Sequence, residues 1–270
     1  MSENLNQHTE GTAASESGRS VNIVIVLVTA AVIALVLAVA LILGGDGHEP
    51  LPQDPVLTYG EFATDAPAPN ADMAAVRREI DSMRVEDFTE TARQTSYVKI
   101  TVKGYGELVI RLRPDIAPLT VQNFRDLVFR GFYDGLTVHR VVKGFVIQGG
   151  DPQGDGSGGS ADPVVGEFSA NGIRNDLSHI LGVISMARHA DQYNSATSQF
   201  MICNSDAAAN TLDSSHAAFG YVVAGLETVL MISEAEVTAG SGEVSRPVEP
   251  IILEKVCFVT PKLAASDSNG

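Results

Sequence analysis

The chain has 270 residues but no tryptophan, only two cysteines and few basic side chains. Two cysteines cannot build a disulfide-rich scaffold, and these two lie too far apart in sequence for a zinc-binding motif. Eighteen lysines and arginines stand against 33 aspartates and glutamates, which gives a formal charge of −15. Because binding to a phosphate backbone needs clustered positive charge, we expect no nucleic-acid partner.

The longest hydrophobic segment lies near the N-terminus. Residues 23–43 are 21 consecutive uncharged residues, IVIVLVTAAVIALVLAVALIL. As a helix this segment is about 32 Å long, close to the roughly 30 Å hydrocarbon core of a bilayer. The segment therefore predicts a single N-terminal transmembrane helix that anchors the chain in a membrane.

A cleaved signal peptide is the alternative interpretation, because Ala38, Val39 and Ala40 match the A-x-A pattern of a cleavage site. The hydrophobic region of a signal peptide is shorter, about 7–15 residues, and follows positive charge. Residues 1–20 instead carry three glutamates and one arginine. We therefore favour an uncleaved anchor.

The charges that flank the segment predict its orientation. Arg19 is the one basic residue on its N-terminal side, and no lysine or arginine follows it before Arg77. The positive-inside rule then places the N-terminus in the cytoplasm and the rest of the chain outside. We expect a single-pass protein of the cell membrane whose catalytic domain is extracytoplasmic.

Three further segments flank the main domain. Residues 1–22 are polar and low in complexity, which predicts a disordered tail. Residues 44–96 form a predicted linker, rich in proline at its start and carrying a short helix over residues 71–84. That helix either docks on the next domain or extends the linker. Residues 262–270 are predicted to be a flexible tail.

The main domain, residues 97–261, consists of short alternating segments typical of β-strands. The predicted strands cover 98–102, 108–112, 137–142, 145–148, 182–187, 199–204, 219–223 and 251–259. The predicted helices follow Pro118 as far as Val128 and cover 226–233. About eight short strands with two helices favour a mainly β fold with a closed antiparallel barrel.

Four motifs in this domain carry candidate chemistry. They read HRVVKGFVIQGGD (139–151), SMA (185–187), SQFMI (198–202) and LDSSHAAFG (212–220). In this order they resemble the cyclophilin family of peptidyl-prolyl cis-trans isomerases. Their residue sequences are similar to those of the bacterial branch of that family. The resemblance implies an eight-stranded antiparallel barrel capped by two helices. It also implies isomerisation of X-Pro bonds during the folding of exported proteins.

The resemblance assigns roles to nine residues. Arg140 corresponds to the catalytic hydrogen-bond donor, and Gln148 corresponds to the residue that holds its guanidinium group and contacts substrate. The walls of the proline pocket correspond to Phe145, Val146, Met201, Leu212 and His216, and the substrate groove to Ala187 and Arg188. Val146 and Met201 replace the commonest family residues, methionine and phenylalanine, but remain apolar. The family's reaction implies no cofactor.

The resemblance also gives the missing tryptophan a consequence. Thr211 stands where many cyclophilins carry a tryptophan that contacts cyclosporin, so we expect only weak inhibition by that drug. The loop from Asp151 to Asp162 loosely resembles a calcium-binding loop, but no helix follows it, and we expect no metal. The serines lack a G-x-S-x-G elbow, which disfavours a serine hydrolase.

Some alternatives stay open at the level of sequence. Cys203 and Cys257 could form a disulfide outside the cytoplasm, although we favour two buried thiols. The same groove could also serve a non-catalytic chaperone that binds proline-containing segments. The expected partners in both cases are unfolded or exported polypeptides and, through one helix, the membrane. We expect a monomer.

Overall fold

A computed structural model describes residues 71–240 and 242–262. The predicted tail at 1–22 and the anchor at 23–43 lie outside the described residues, as do the first part of the linker and residues 263–270. Among the residues that the structure describes, no helix is long and apolar enough to cross a membrane.

The described chain is mainly β. In chain order its elements are α1 (Met73–Glu79), β1 (Phe88–Glu90), β2 (Tyr97–Val102), β3 (Gly106–Leu112), α2 (Pro118–Phe129), β4 (Thr137–Val142), β5 (Val146–Asp151), β6 (Val183–Met186), β7 (Phe200–Cys203), α3 (Ala209–Leu212), β8 (Ala218–Ala224), α4 (Leu226–Ser233), β9 (Val237–Ala239), β10 (Val244–Pro247) and β11 (Ile251–Pro261).

Eight of these strands form a closed antiparallel barrel in the order β11-β2-β3-β8-β6-β7-β5-β4. The barrel closes where β11 pairs with β4, at Ile251 opposite Val138 and Ile252 opposite Thr137. The predicted barrel is therefore confirmed, with every predicted strand present. Strand β1 adds a ninth strand to the sheet by pairing with β11.

Alternation along the strands fills the barrel interior with apolar side chains. Val98, Ile100 and Val102 on β2 belong to one buried cluster with Leu108, Ile110 and Leu112 on β3. Helices α2 and α4 contribute Val121, Phe124, Leu127, Val128, Leu226, Val229 and Ile232 to the same cluster. The two predicted helices therefore both pack against the barrel interior, and α2 begins with proline, which is well suited to a first helical turn.

A second apolar cluster covers part of the outer face of the barrel. It joins Val76 of α1 and Phe88 of β1 to Val146 and Met201 on the strands. Polar contacts reinforce this packing: Glu79 pairs with Arg111 and accepts a hydrogen bond from the Tyr221 hydroxyl at 2.6 Å. Of the two alternatives for the short helix, docking on the domain is what the structure shows.

Other differences from the predicted elements are local. Strand β1 and the β9–β10 hairpin were not predicted, because segments of three or four residues are too short to show a clear alternation. Strand β5 begins at Val146 and continues to Asp151, beyond the predicted end at Gln148. Cys203 and Cys257 are both free thiols; Cys203 is buried as predicted, whereas Cys257 is only partly buried.

The docking of α1 can be tested with a buried charge. Val76 is 1% exposed, so Val76→Asp places an unpaired carboxylate in the outer cluster. We expect it to lower the free energy of unfolding by about 2 kcal/mol or more. Ala74→Asp introduces the same charge on the exposed side of α1 and should leave stability nearly unchanged. Equal denaturant midpoints for the two variants would contradict the docking.

Candidate active site

The β4–β5 hairpin brings three predicted site residues together. Arg140 lies directly opposite Gln148 in the strand register. A tight turn at Gly144, whose φ is +75°, allows the Phe145 amide to donate to the Val142 carbonyl at 3.1 Å. The Arg140 guanidinium then lies 5.8 Å from the centre of the Phe145 ring, within range of a cation–π interaction.

The guanidinium group of Arg140 has two polar partners. Its Nη1 donates to Oε1 of Gln148 at 3.3 Å. Its Nε donates to Oε1 of Glu243, which also forms an ion pair with it. Together with the ring of Phe145, these partners hold the guanidinium on three sides while a quarter of the Arg140 side chain stays exposed.

A second glutamine fixes the orientation of Gln148. Gln199 uses its Nε2 group to donate to the carbonyls of Gly156 at 3.0 Å and Gly158 at 2.7 Å. Its Oε1 is therefore the acceptor that remains for Nε2 of Gln148, at 2.8 Å. Gln148 must consequently turn its own oxygen toward Arg140, as the observed contact requires.

An apolar wall lies beside these polar groups on the outer face of the barrel. Val146, Met201 and Leu212 belong to the outer cluster, and Phe145 and Ala187 pack against it. Gln148 faces Met201 across β5 and β7, and Met201 faces Ser185 across β7 and β6. Val146 has no exposed surface, so in this structure it supports the wall from behind.

A hydrogen-bond chain through the buried His179 fixes the segment that carries Leu212. Asp213 follows Leu212, and its Oδ1 lies 2.8 Å from Nδ1 of His179. The Nε2 atom of the same imidazole lies 2.9 Å from the Ser185 hydroxyl on β6. The aspartate of the fourth motif is thereby connected to the serine of the second. Because His179 and Ser185 are both buried, this Asp-His-Ser series supports the pocket wall and presents no nucleophile to solvent.

His216 follows one turn after Leu212, with its amide donating to the Leu212 carbonyl at 3.1 Å. Burial, together with the positive charges of Arg188 and His179, lowers the pKa of His216 to about 4. The imidazole is therefore neutral at physiological pH and suits an apolar pocket.

The Arg188 side chain folds back onto its own loop. It donates to the Ser215 carbonyl at 2.9 Å and to the His189 carbonyl at 2.8 Å, and it packs on the rings of Phe168 and Tyr193. In the part of the chain that the structure describes, neither its backbone N–H nor its carbonyl is engaged by another backbone group. The Arg188 backbone is therefore available to pair with a peptide.

Asp151 organises the glycine-rich loop beside the site. Its buried carboxylate accepts hydrogen bonds from the amides of Gln153 at 2.8 Å, Asp155 at 3.1 Å and Gly156 at 2.6 Å. Burial raises the pKa of Asp151, but these amide donors outweigh burial and lower it below its ordinary value. Among the described residues, no cluster of three or more His, Cys, Asp or Glu side chains could hold a metal ion.

The structure thus gathers the predicted site residues around one patch of the outer barrel surface. The sequence patterns do not identify two further functional candidates, Gln199 and Glu243. Gln199 lies within the SQFMI motif, and its alternation with buried Phe200 placed it on the same face as Gln148. Glu243 lies 103 residues from Arg140 in a hairpin outside all four motifs, so no sequence signal indicated it.

Comparison with known proteins assigns this arrangement to a family. The sequence model of the cyclophilin-type peptidyl-prolyl cis-trans isomerases matches residues 97–257. The chain belongs to this family. The cyclophilin domain thus comprises all eight barrel strands, most of β11 included, together with the capping helices and the four motifs.

Individual cyclophilins agree with this assignment. The peptidyl-prolyl cis-trans isomerase ppi1 of Schizosaccharomyces pombe is 39% identical over 151 residues, which are 56% of this chain and 91% of the relative. The peptidyl-prolyl cis-trans isomerase A of Dickeya dadantii is 36% identical over 171 residues, 62% of this chain and 87% of the relative. These named isomerases support an enzyme over a purely binding module, so this cyclophilin is a peptidyl-prolyl cis-trans isomerase.

A solved structure resembles the fold as well. The cyclophilin-type isomerase of Cryptosporidium parvum, determined in the presence of the dipeptide Ala-Pro, superposes with a TM-score of 0.52 at 29% identity. The match covers 60% of this chain and 98% of the parasite protein.

The neutral state of His216 predicts a pH dependence of stability. In the unfolded chain a histidine has a pKa of about 6.5, so between pH 6.5 and about 4 the unfolded state binds more protons, and stability decreases as the pH is lowered. His216→Gln cannot take up this proton. Between pH 7 and pH 5 we expect the free energy of unfolding to decrease by about 1–2 kcal/mol less in the variant than in the wild type. Unfolding curves at pH 7 and pH 5 that shift equally for both proteins would contradict this prediction.

Proposed function

We propose that this cyclophilin isomerises X-Pro bonds at the outer barrel face, with Arg140 stabilising the twisted amide. The observation that supports this most is the guanidinium fixed by Gln148, Glu243 and Phe145 beside an apolar wall. A group that must donate one hydrogen bond at one moment benefits from being held in place beforehand.

The chemistry of the reaction explains why an arginine suffices. Amide resonance sets a barrier of about 18–20 kcal/mol, and uncatalysed X-Pro isomerisation takes about tens to hundreds of seconds. A turnover of about 10²–10³ per second requires the removal of roughly 5–7 kcal/mol. As the bond twists, the prolyl nitrogen becomes pyramidal and regains its lone pair. Arg140 can donate to that lone pair only then, so the stabilisation is specific to the transition state.

Substrate binding is the role we propose for the remaining site residues. The proline ring packs on Phe145 and Met201, with Leu212 and the neutral His216 completing the pocket and Val146 behind it. The preceding residues of the peptide run along Ala187 and pair with the open backbone of Arg188. The parasite relative determined with Ala-Pro supports proline-containing peptides as the ligand class. The reaction forms no covalent intermediate and requires no cofactor.

The setting of the enzyme is a further part of the proposal. The hydrophobic segment at 23–43 and the lone Arg19 support a membrane anchor with the isomerase domain facing away from the cytoplasm. We also propose that the protein is a monomer. Its clients are then exported chains whose folding waits for X-Pro bonds. The residue sequences SMAR and NSATSQF support membership in the bacterial branch of the family.

The role of Arg140 is tested by Arg140→Ala. We expect kcat/KM on a proline tetrapeptide to fall about 10²–10³-fold, because one preorganised donor is lost, while the circular dichroism spectrum is unchanged. Arg78→Ala, which removes an exposed arginine from α1, is the matched control and should retain wild-type activity. A wild-type kcat/KM for Arg140→Ala would contradict the mechanism.

The orientation is tested with reporters fused after Gly270 in cells expressing the full chain. Alkaline phosphatase, which folds only outside the cytoplasm, should be active, and a cytoplasm-dependent fluorescent protein should be dark. Moving positive charge to the other side of the hydrophobic segment, with Asp46→Lys and Glu49→Lys, should reduce phosphatase activity. A fluorescent fusion together with an inactive phosphatase fusion would place the C-terminus in the cytoplasm and overturn the proposed location.

A further inference from the structure

The β9–β10 hairpin supplies the one charged partner that the described residues place on Arg140. This hairpin lies outside the four motifs, and its acidic residue, Glu243, pairs with Nε of Arg140 across 103 residues of sequence. The contact is therefore a feature of this chain that the motif pattern does not contain.

The local fold of the hairpin presents Glu243 toward the site. Gly242, immediately before it, has a φ of +87°, a conformation that glycine adopts without strain. The Gly240 amide donates to the Glu243 carbonyl at 2.7 Å and closes the turn. A bulge between Val244 and Arg246 interrupts the pairing with β9, and the Ser245 side chain at this bulge is buried. Bulges commonly redirect a side chain next to an active site.

The carboxylate of Glu243 is ionised where it meets Arg140. The hydrogen bond from Arg140 lowers the pKa of Glu243, a further hydrogen bond from Ser245 acts in the same direction, and burial opposes them. The pair is partly shielded from solvent, with 25% of the Arg140 side chain and 42% of the Glu243 side chain exposed.

The nitrogen atoms of Arg140 that are already hydrogen-bonded show whether Glu243 supports the guanidinium or blocks it from substrate. Glu243 takes Nε and Gln148 takes Nη1, and the described residues place no hydrogen-bond acceptor on Nη2. Because the guanidinium is planar and rigid, two fixed nitrogens also fix the direction of the third.

We propose that Glu243 is a positioning residue, which holds the Arg140 guanidinium so that Nη2 is left for the prolyl nitrogen. This inference rests on the proposed function, because it needs Arg140 to be the catalytic donor. The Gln148 contact, at 3.3 Å, is long for a hydrogen bond and cannot restrain the long arginine side chain as firmly as an ion pair.

The experiment compares kcat and KM in the full-length protein, measured by exchange NMR on a proline tetrapeptide. Glu243→Ala should lower kcat about 10- to 100-fold, because a misplaced donor loses the transition state, with KM within twofold of wild type. Glu243→Gln keeps an oxygen that can accept from Nε and should recover part of kcat. Glu249→Ala removes an exposed acid from the same region and is the matched control.

A double variant separates this inference from the proposed function. Because Glu243 acts through Arg140, adding Glu243→Ala to Arg140→Ala should not lower kcat any further. If Arg140→Ala is impaired and Glu243→Ala has wild-type or raised kcat, the positioning role is wrong and the proposed function stands. Additive losses would also contradict positioning. If Arg140→Ala itself is fully active, the proposed function fails and the inference fails with it.

Discussion

The two-residue period of the barrel strands is the constraint on which the site depends. In β5, β6 and β7 one set of side chains fills the interior, and the alternate set faces outward. Gln148, Met201 and Ser185 occupy the outward set and lie in register across three strands. A shift of one residue in any of these strands would send its site residue into the core. Closure of the barrel fixes the register, and the register fixes the site.

The site itself is built from ordinary contacts arranged in series. Backbone carbonyls of the glycine-rich loop orient Gln199, which orients Gln148, which contacts Arg140. On the other side, the buried His179 links Asp213 to Ser185 and so fixes the wall around Leu212. Because each side chain in these two series has a defined partner, the groove keeps its shape.

The sequence was sufficient for the barrel because its eight strands alternate clearly and its two capping helices carry regular apolar stripes. It also grouped Arg140, Phe145 and Gln148, since a hairpin brings nearby residues together whatever the rest of the fold. It did not reveal Glu243, because a contact over 103 residues depends on how the whole barrel closes. The β9–β10 hairpin that carries this residue is too short to produce a periodic pattern. The catalytic and binding roles of the nine site residues remain predictions from the resemblance.

The closure of the barrel by its last strand also has a consequence for the order of synthesis. Strand β11 pairs with β1, β2 and β4, so each of these three strands lacks one partner until residues 251–261 have been made. A chain that emerges N-terminus first therefore cannot close the barrel before this strand is available. The pairings of β11 with β1 and β2 join strands that are far apart in sequence, and such pairings slow folding. The closed barrel that supports the site is therefore complete only after residues 251–261 have been made.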